Sequence, residues 1–376
     1  MILALTVGLL IARGEQAAEM AAAQRTLFAK LHVAEAWEYT RGDPTVSIGV
    51  IDNGFDYYHP SLKGRLEPGY YYPGGYHSDF YENIAHGTLV AGIIVANGDD
   101  GVSGLAPDCR IITASQGTID HYLVKLQKRT DPKLLQSEMA AHPDELKRFG
   151  EAWSRYQVEG AAHAIDYLVD RGVRVINFSG GLWRSQCPSA AAWQKLEDAV
   201  RRAAEHDVIV VLSAGNNAKE STDYPGSHAN VIVAGGITLD DKRWDQSIPY
   251  NGTIIKVGSN YGARLSVMAP IENIVSCEPH ERGCYQTDDG PMGATRVEFH
   301  GNHSILPNGG TSSAAPIVAA LVALVRSARP DLDAAAVIDI IERGCDDLGA
   351  SGRDPDTGFG RVNFGKTLAL AVDDER

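Results

Sequence analysis

The sequence predicts an α/β fold of three layers, a mainly parallel central sheet with helices on both faces. Three observations predict it. Short apolar runs rich in β-branched residues alternate with longer helical stretches, the pattern of repeated strand and helix units. Val46 to Asp52 reads VSIGVID and then turns at Asn53-Gly54, as a buried parallel strand does when it carries a carboxylate to its C-terminal edge. From Ile317 to Val325 the chain reads IVAALVALV, a helix with no polar face that has to be buried on every side.

In chain order, residues 2–12 read ILALTVGLLIA and an Ala-rich stretch follows. The run has the length of a signal-peptide core but lacks a basic region before it, and a helical arm packed on the core would read the same way. Residues 1–30 are therefore set apart as an N-terminal apolar arm or remnant signal segment, ahead of one domain at 31–370. Strands are placed near 46–52, 109–114, 173–178, 208–213, 230–235 and 264–268, and helices near 86–96, 159–171, 189–206, 311–328 and 333–344. Between the strand CRIITAS and the helix GAAHAIDYLVDRG lies a charged, helix-prone insertion at about 116–157, with Pro132 and Pro143 as breakers. It is a lid, a helical pair for partner docking, or a solvated ornament, the last being the default.

Composition removes several classes. The chain has 376 residues, 44% hydrophobic and 22% charged, and its net charge of −14 argues against nucleic acid as a partner. No Gly-rich phosphate loop is present. No apolar run of about 18 residues suggests a membrane span.

Four short segments carry candidate chemistry. Ser312 lies in GTSSAAP, Gly310 to Pro316, at the mouth of the apolar helix, with Pro316 in about its first turn. His86 lies in AHGTLVAGII at the start of another apolar helix. Asp52 ends the strand VSIGVID, and Asn216 follows the strand VIVVLSA in Ser213-Ala214-Gly215-Asn216. Alone, each has an ordinary explanation: a helix cap for Thr311 or Ser312, a structural histidine, and turn residues for Asp52 and Asn216. Together they differ, because a nucleophilic serine needs a base and the base needs a third group to fix its tautomer.

In the order Asp52, His86, Ser312, with Asn216 between the last two, the chain resembles the subtilisin-like serine proteases, also called subtilases or peptidase family S8. VIDNGFDYYHP, HGTLVAGII and GTSSAAP match the family's Asp, His and Ser blocks, and the likeness runs from about Leu31 to Val362. The resemblance implies a subtilisin-like fold and a serine endopeptidase with Asp52, His86 and Ser312 as its triad and Asn216 as oxyanion donor. Its substrate would be an extended polypeptide paired with VINFSGG, Val175 to Gly181. Ser179, Gly180 and Gly181 would form one wall of the cleft, and Ala214 and Gly215 the other. A larger side chain is common in the family at Gly180, so a more open pocket is expected here.

Asp223 precedes Tyr224-Pro225-Gly226, which resembles the floor of the pocket for the residue before the cleaved bond. A carboxylate there favours Lys or Arg. The more ordinary reading is a solvated Asp in the polar run from Glu220 to Asp223. A peptide ligase or macrocyclase on the same scaffold is the alternative activity, differing in whether water or an amine resolves the acyl-enzyme. An inactive peptide-binding module is disfavoured, since no catalytic position is substituted.

The chemistry needs no cofactor. Family members commonly hold structural calcium, but the usual carboxylate of the His-Pro-Asp-Leu stretch is Ser61 in His59-Pro60-Ser61-Leu62, and the companion loop Asn97 to Gly101 looks short. This calcium site is not expected to be intact, and which other residues would hold a metal is unknown. Of five cysteines, Cys277 and Cys284 could close a loop in an exported protein, while Cys109 and Cys345 read as buried thiols. The odd count favours a reducing compartment, while the apolar start leans toward a secreted or periplasmic one. Too few residues precede Asp52 for an inhibitory propeptide, so the chain is expected to be already processed or shortened, or to fold unaided.

Overall fold

All six strands expected for the parallel sheet form, each within about three residues of its place, and a seventh joins them. The computed structural model describes residues 2–71, 81–99, 101–115, 143–180, 182–187, 189–221, 224–225, 230–250, 253–279, 298–300 and 303–373. The strands are β1 (Ser47–Asp52), β2 (Leu66–Tyr71), β3 (Arg110–Ser115), β4 (Val175–Phe178), β5 (Ile209–Ser213), β6 (Val231–Ile237) and, after a hairpin of β7 (Asp245–Tyr250) and β8 (Thr253–Gly258), β9 (Val267–Pro270). The spatial order is β2-β3-β1-β4-β5-β6-β9 and every pairing is parallel. The order reverses direction between β1 and β4, which is where open parallel sheets place their sites.

Alternation along the strands divides the interior into two cores. Ile209 and Val211 of β5 join one core, while Val210 and Leu212 join the other; in β4, Val175 parts in the same way from Ile176 and Phe178. Onto the first face pack α1 (Ile2–Leu31), α2 (Val33–Trp37), α3 (Tyr81–Val95), α6 (Thr311–Ala328), α7 (Ala334–Gly344) and α8 (Phe364–Asp373). Onto the second pack α4 (Pro143–Asp170) and α5 (Ala190–Glu205). Helix α5 shows why these segments are helical: the Ser189 hydroxyl accepts from the Ala192 N–H at 3.2 Å, a cap of about 1 kcal/mol. Its buried residues Trp193, Leu196, Ala199, Val200 and Ala203 then recur at helical spacing.

Helix α6 is the centre of the fold. Among the described residues it alone has the length and apolarity to cross a membrane, and 83% of it is buried inside the protein. Pro316 is its sixth residue, deeper than the first turn expected from sequence.

Other elements were not legible. Strand β2 contains Pro68 and Gly69 and shifts register between Glu67 and Tyr70, which an edge strand tolerates. Beside α1 and α3 stands an antiparallel sheet of β10 (Glu272–Cys277), β12 (His303–Asn308) and β11 (Glu298–His300), in that order. The described part of the insertion, residues 143–157, is no separate unit: it runs unbroken into the expected helix as the first half of α4, with Pro143 at its opening position. Residues 116–142 lie outside the described residues. At the N-terminus α1 docks through buried Met20 and Leu27, and Lys30 pairs with Asp241 at 2.6 Å.

Candidate active site

Each candidate group reaches the cleft from the C-terminal side of the sheet or the start of a helix. Asp52 ends β1, 4% exposed, and His86 sits inside the N-terminal half of α3. Gly87 makes their approach feasible, since a Cβ there would lie 2.1 Å from the Gly54 carbonyl oxygen, just past Asp52. The imidazole Nδ1 then lies 2.9 and 2.8 Å from the two Asp52 carboxylate oxygens. One of those oxygens also accepts the Asn53 N–H at 2.8 Å, which fixes the carboxylate plane. The Asp52 charge raises the His86 pKa above its ordinary 6.5, against the opposing effect of burial.

Ser312 is the second residue of α6. Pro316 carries no N–H, so the Ser312 carbonyl lacks its partner one turn on. The Ser179 hydroxyl supplies one at 3.0 Å, and thereby ties the helix mouth to the end of β4. The Ser312 hydroxyl donates in turn to the Ser179 carbonyl at 3.2 Å.

Asn216 is oriented by the neighbour of Ser312. Its Oδ1 accepts from the Thr311 N–H at 2.9 Å and the Thr311 hydroxyl at 2.7 Å, so its Nδ2 is the end left to donate. The Thr311 hydroxyl also accepts the Gly215 N–H at 3.0 Å, which locks both walls together. The result is a cleft of about 520 Å³ that brings Asp52, His86, Ser312, Asn216, Ser179, Gly180 and Gly215 onto one surface. Ala214 stands just behind, fully buried, its carbonyl accepting the Tyr224 hydroxyl at 2.6 Å. Gly181 and Asp223 lie outside the described residues.

The Subtilase family model matches residues 43–360. The chain belongs to the subtilase family. It is 30% identical over 338 residues to the thermophilic serine proteinase of Bacillus sp. strain AK1, covering 87% of this chain and 63% of that one. To fervidolysin of Fervidobacterium pennivorans it is 28% identical, covering 89% and 42%. The chain thus spans about half to two thirds of the length of these curated relatives. In fold it is similar to MycP1 from Mycobacterium smegmatis, with a TM-score of 0.63 at 22% identity over 91% of this chain and 84% of that one. It is also similar to the prenylagaramide maturation protease PagA, with a TM-score of 0.60 at 22% identity over 90% and 98%.

Several features of this subtilase had no readable signal in the sequence. Thr311 looked like a possible cap, and its role in holding Asn216 appears only when α6 meets the end of β5. Trp183, in the cleft, follows the expected wall and was not singled out. Gly180 does not open the wall by its own absence of bulk: a Cβ there would come 2.7 Å from the Phe178 ring, which already fills that side.

At the usual calcium position a hydroxyl, Ser61, stands where the family has a carboxylate. Ser61 offers a hydroxyl hydrogen-bonded to His303 Nε2 at 2.8 Å, and the Asn97 amide oxygen accepts the Asp99 N–H at 3.1 Å. The Ser103 carbonyl accepts from Gln24 of α1 at 2.8 Å. Close by, His59, Cys277 and His303 cluster in the interior. His59 Nδ1 accepts the Ser61 N–H at 3.1 Å, so in the neutral ring Nε2 carries the proton. Cys109 and Cys345 are buried thiols, and burial pushes Cys345 up to about 12. Cys277 is also buried; Cys284 lies outside the described residues.

Proposed function

We propose that this subtilase is a serine endopeptidase acting through an acyl-enzyme on Ser312. The observation that carries the reading is the Asp52 and His86 pair, held at 2.8 to 2.9 Å in the same cleft as the Ser312 hydroxyl. Ser312 attacks the scissile carbonyl, His86 takes its proton at Nε2 and returns it to the leaving amine, and Asp52 holds the ring and stabilises its charged form. Asn216 donates from Nδ2 to the tetrahedral oxyanion, an orientation set before substrate arrives because Oδ1 already holds two donors from Thr311. Water then resolves the acyl-enzyme. An extended peptide lies between the walls at 178–180 and 214–216, pairing main chain to main chain.

Asp223 lies outside the described residues, so the proposal extends to peptide hydrolysis and not to a preference for basic residues. The test is labelling by a small serine-directed fluorophosphonate, with products of a peptide library read by mass spectrometry. The expected result is a label on Ser312, lost in Ser312→Ala and His86→Ala, and linear hydrolysis products. Folded protein that stays unlabelled at neutral pH sinks the reading, and cyclic or amine-exchanged products would replace hydrolysis by ligation.

A further inference from the structure

We propose that Trp183 fills the recess for the side chain preceding the scissile bond and restricts that residue to glycine, alanine or serine. The inference rests on the peptidase reading above and deepens it.

The position of that recess follows from the site. A substrate carbonyl held by Asn216 Nδ2 belongs to the residue preceding the scissile bond, and the side chain of that residue leaves the adjacent Cα. It must therefore project beside the wall formed by Gly215, the immediate neighbour of Asn216. Trp183 lies against that wall. A Cβ built on Gly215 would lie 2.2 Å from Trp183 Cζ2 and 3.0 Å from Cη2, so the six-membered edge of the indole rests directly on the Gly215 backbone. Gly215 has φ +94°, a conformation that L side chains rarely adopt, so the close approach of the ring meets no side chain there.

Trp183 is half-buried and packs on the core that holds Phe178, Ala214 and Tyr224. Phe178 also lines the cleft but is 1% exposed, so the half-buried Trp183 is the more exposed of the two rings facing incoming substrate. Its Nε1–H is buried with no acceptor among the described residues, so apolar packing holds the ring in place. A methyl or hydroxymethyl group fits beside an indole edge; a ring, a branched chain or a lysine stem collides with it.

The test uses the full chain and a series of peptidyl diphenyl phosphonates differing only in the side chain before phosphorus: Ala, Leu, Phe or Lys. Each measures the rate at which Ser312 is captured. The Ala probe is expected to react about 30-fold or more faster than the Phe and Lys probes, within the range that pocket contacts supply. Trp183→Ala should raise the Phe rate relative to the Ala rate about tenfold or more. Trp183→Phe, which keeps an aromatic in the packing, should move the profile part of the way.

Equal rates for Ala and Phe in the wild type overturn the proposal, and so does an unchanged profile in either variant while the small fluorophosphonate still labels it. A preference for the Lys probe overturns it as well, in favour of Asp223 at the pocket floor. A wild type unlabelled by the small fluorophosphonate overturns the peptidase reading itself, and this inference with it.

Discussion

The hydroxyl of Ser312 and the carbonyl of Ser179 are hydrogen-bonded at 3.2 Å, while the Ser179 hydroxyl returns a bond to the Ser312 carbonyl at 3.0 Å. The first bond is long for a hydroxyl donor, so it holds the Ser312 hydroxyl only weakly. The second bond exists because Pro316 removed a helical donor.

That origin gives a double-mutant prediction. Ser179→Ala leaves the partly buried Ser312 carbonyl without this donor and should lower the unfolding free energy by about 1 kcal/mol. Pro316→Ala restores an N–H one turn beyond Ser312, so Ser179→Ala should cost clearly less in that background. Urea unfolding of the four proteins reads the coupling; purely additive costs would reject the account.

The Asp52 charge raises the His86 pKa, and as the proposed general base His86 must be neutral to act. Activity is therefore expected to fall as pH drops through this raised value, with the acid limb of kcat/KM centred above the ordinary 6.5. For stability the sign is opposite: the favourable pairing of charged His86 is complete below its unfolded pKa and is lost as pH rises through the folded one. Asp52→Asn should move the acid limb down while kcat collapses. A wild-type limb centred below 6.5 contradicts this.

Asn216→Ala should reduce kcat by about 10²- to 10³-fold with KM little changed, the size of effect established for subtilisin itself. Thr311→Val, which removes one of the two donors to Asn216 Oδ1, should cost part of that amount through misorientation. Steady-state kinetics on one peptide substrate separates the two, and an unchanged kcat in Asn216→Ala excludes an oxyanion role.

Glu278 is 4% exposed, and burial raises its pKa to about 7, with the Ser304 hydroxyl donating to it at 2.6 Å. A raised carboxyl contributes stability that is full at acid pH and is lost as pH climbs from the unfolded value through the folded one. The loss across this window is roughly 3 kcal/mol. Glu278→Gln stays neutral, so its stability relative to wild type should grow from pH 5 to pH 8. Parallel stability curves for the two proteins would reject the assignment.

The main sheet was legible because its strands are buried on both faces, which leaves β-branched runs that end in small or acidic residues. The antiparallel additions were not, since β2 hides behind Pro68 and Gly69 and β10 to β12 take their pairing from neighbours distant in sequence. The first half of α4 was hidden by charge, because helix and solvated loop share that composition.

What the sequence by itself determined was the candidate set: Asp52 at a strand end, His86 and Ser312 in the N-terminal halves of apolar helices and Asn216 after a strand, each set by residue type and local period. Only the tertiary structure decided how those groups are held and what reaches them. Thr311 orients Asn216, Ser179 answers the donor missing at Pro316, and Trp183 lies on Gly215. These are contacts between segments about 30 to 130 residues apart, closed by packing two cores on one sheet, and no local pattern encodes them.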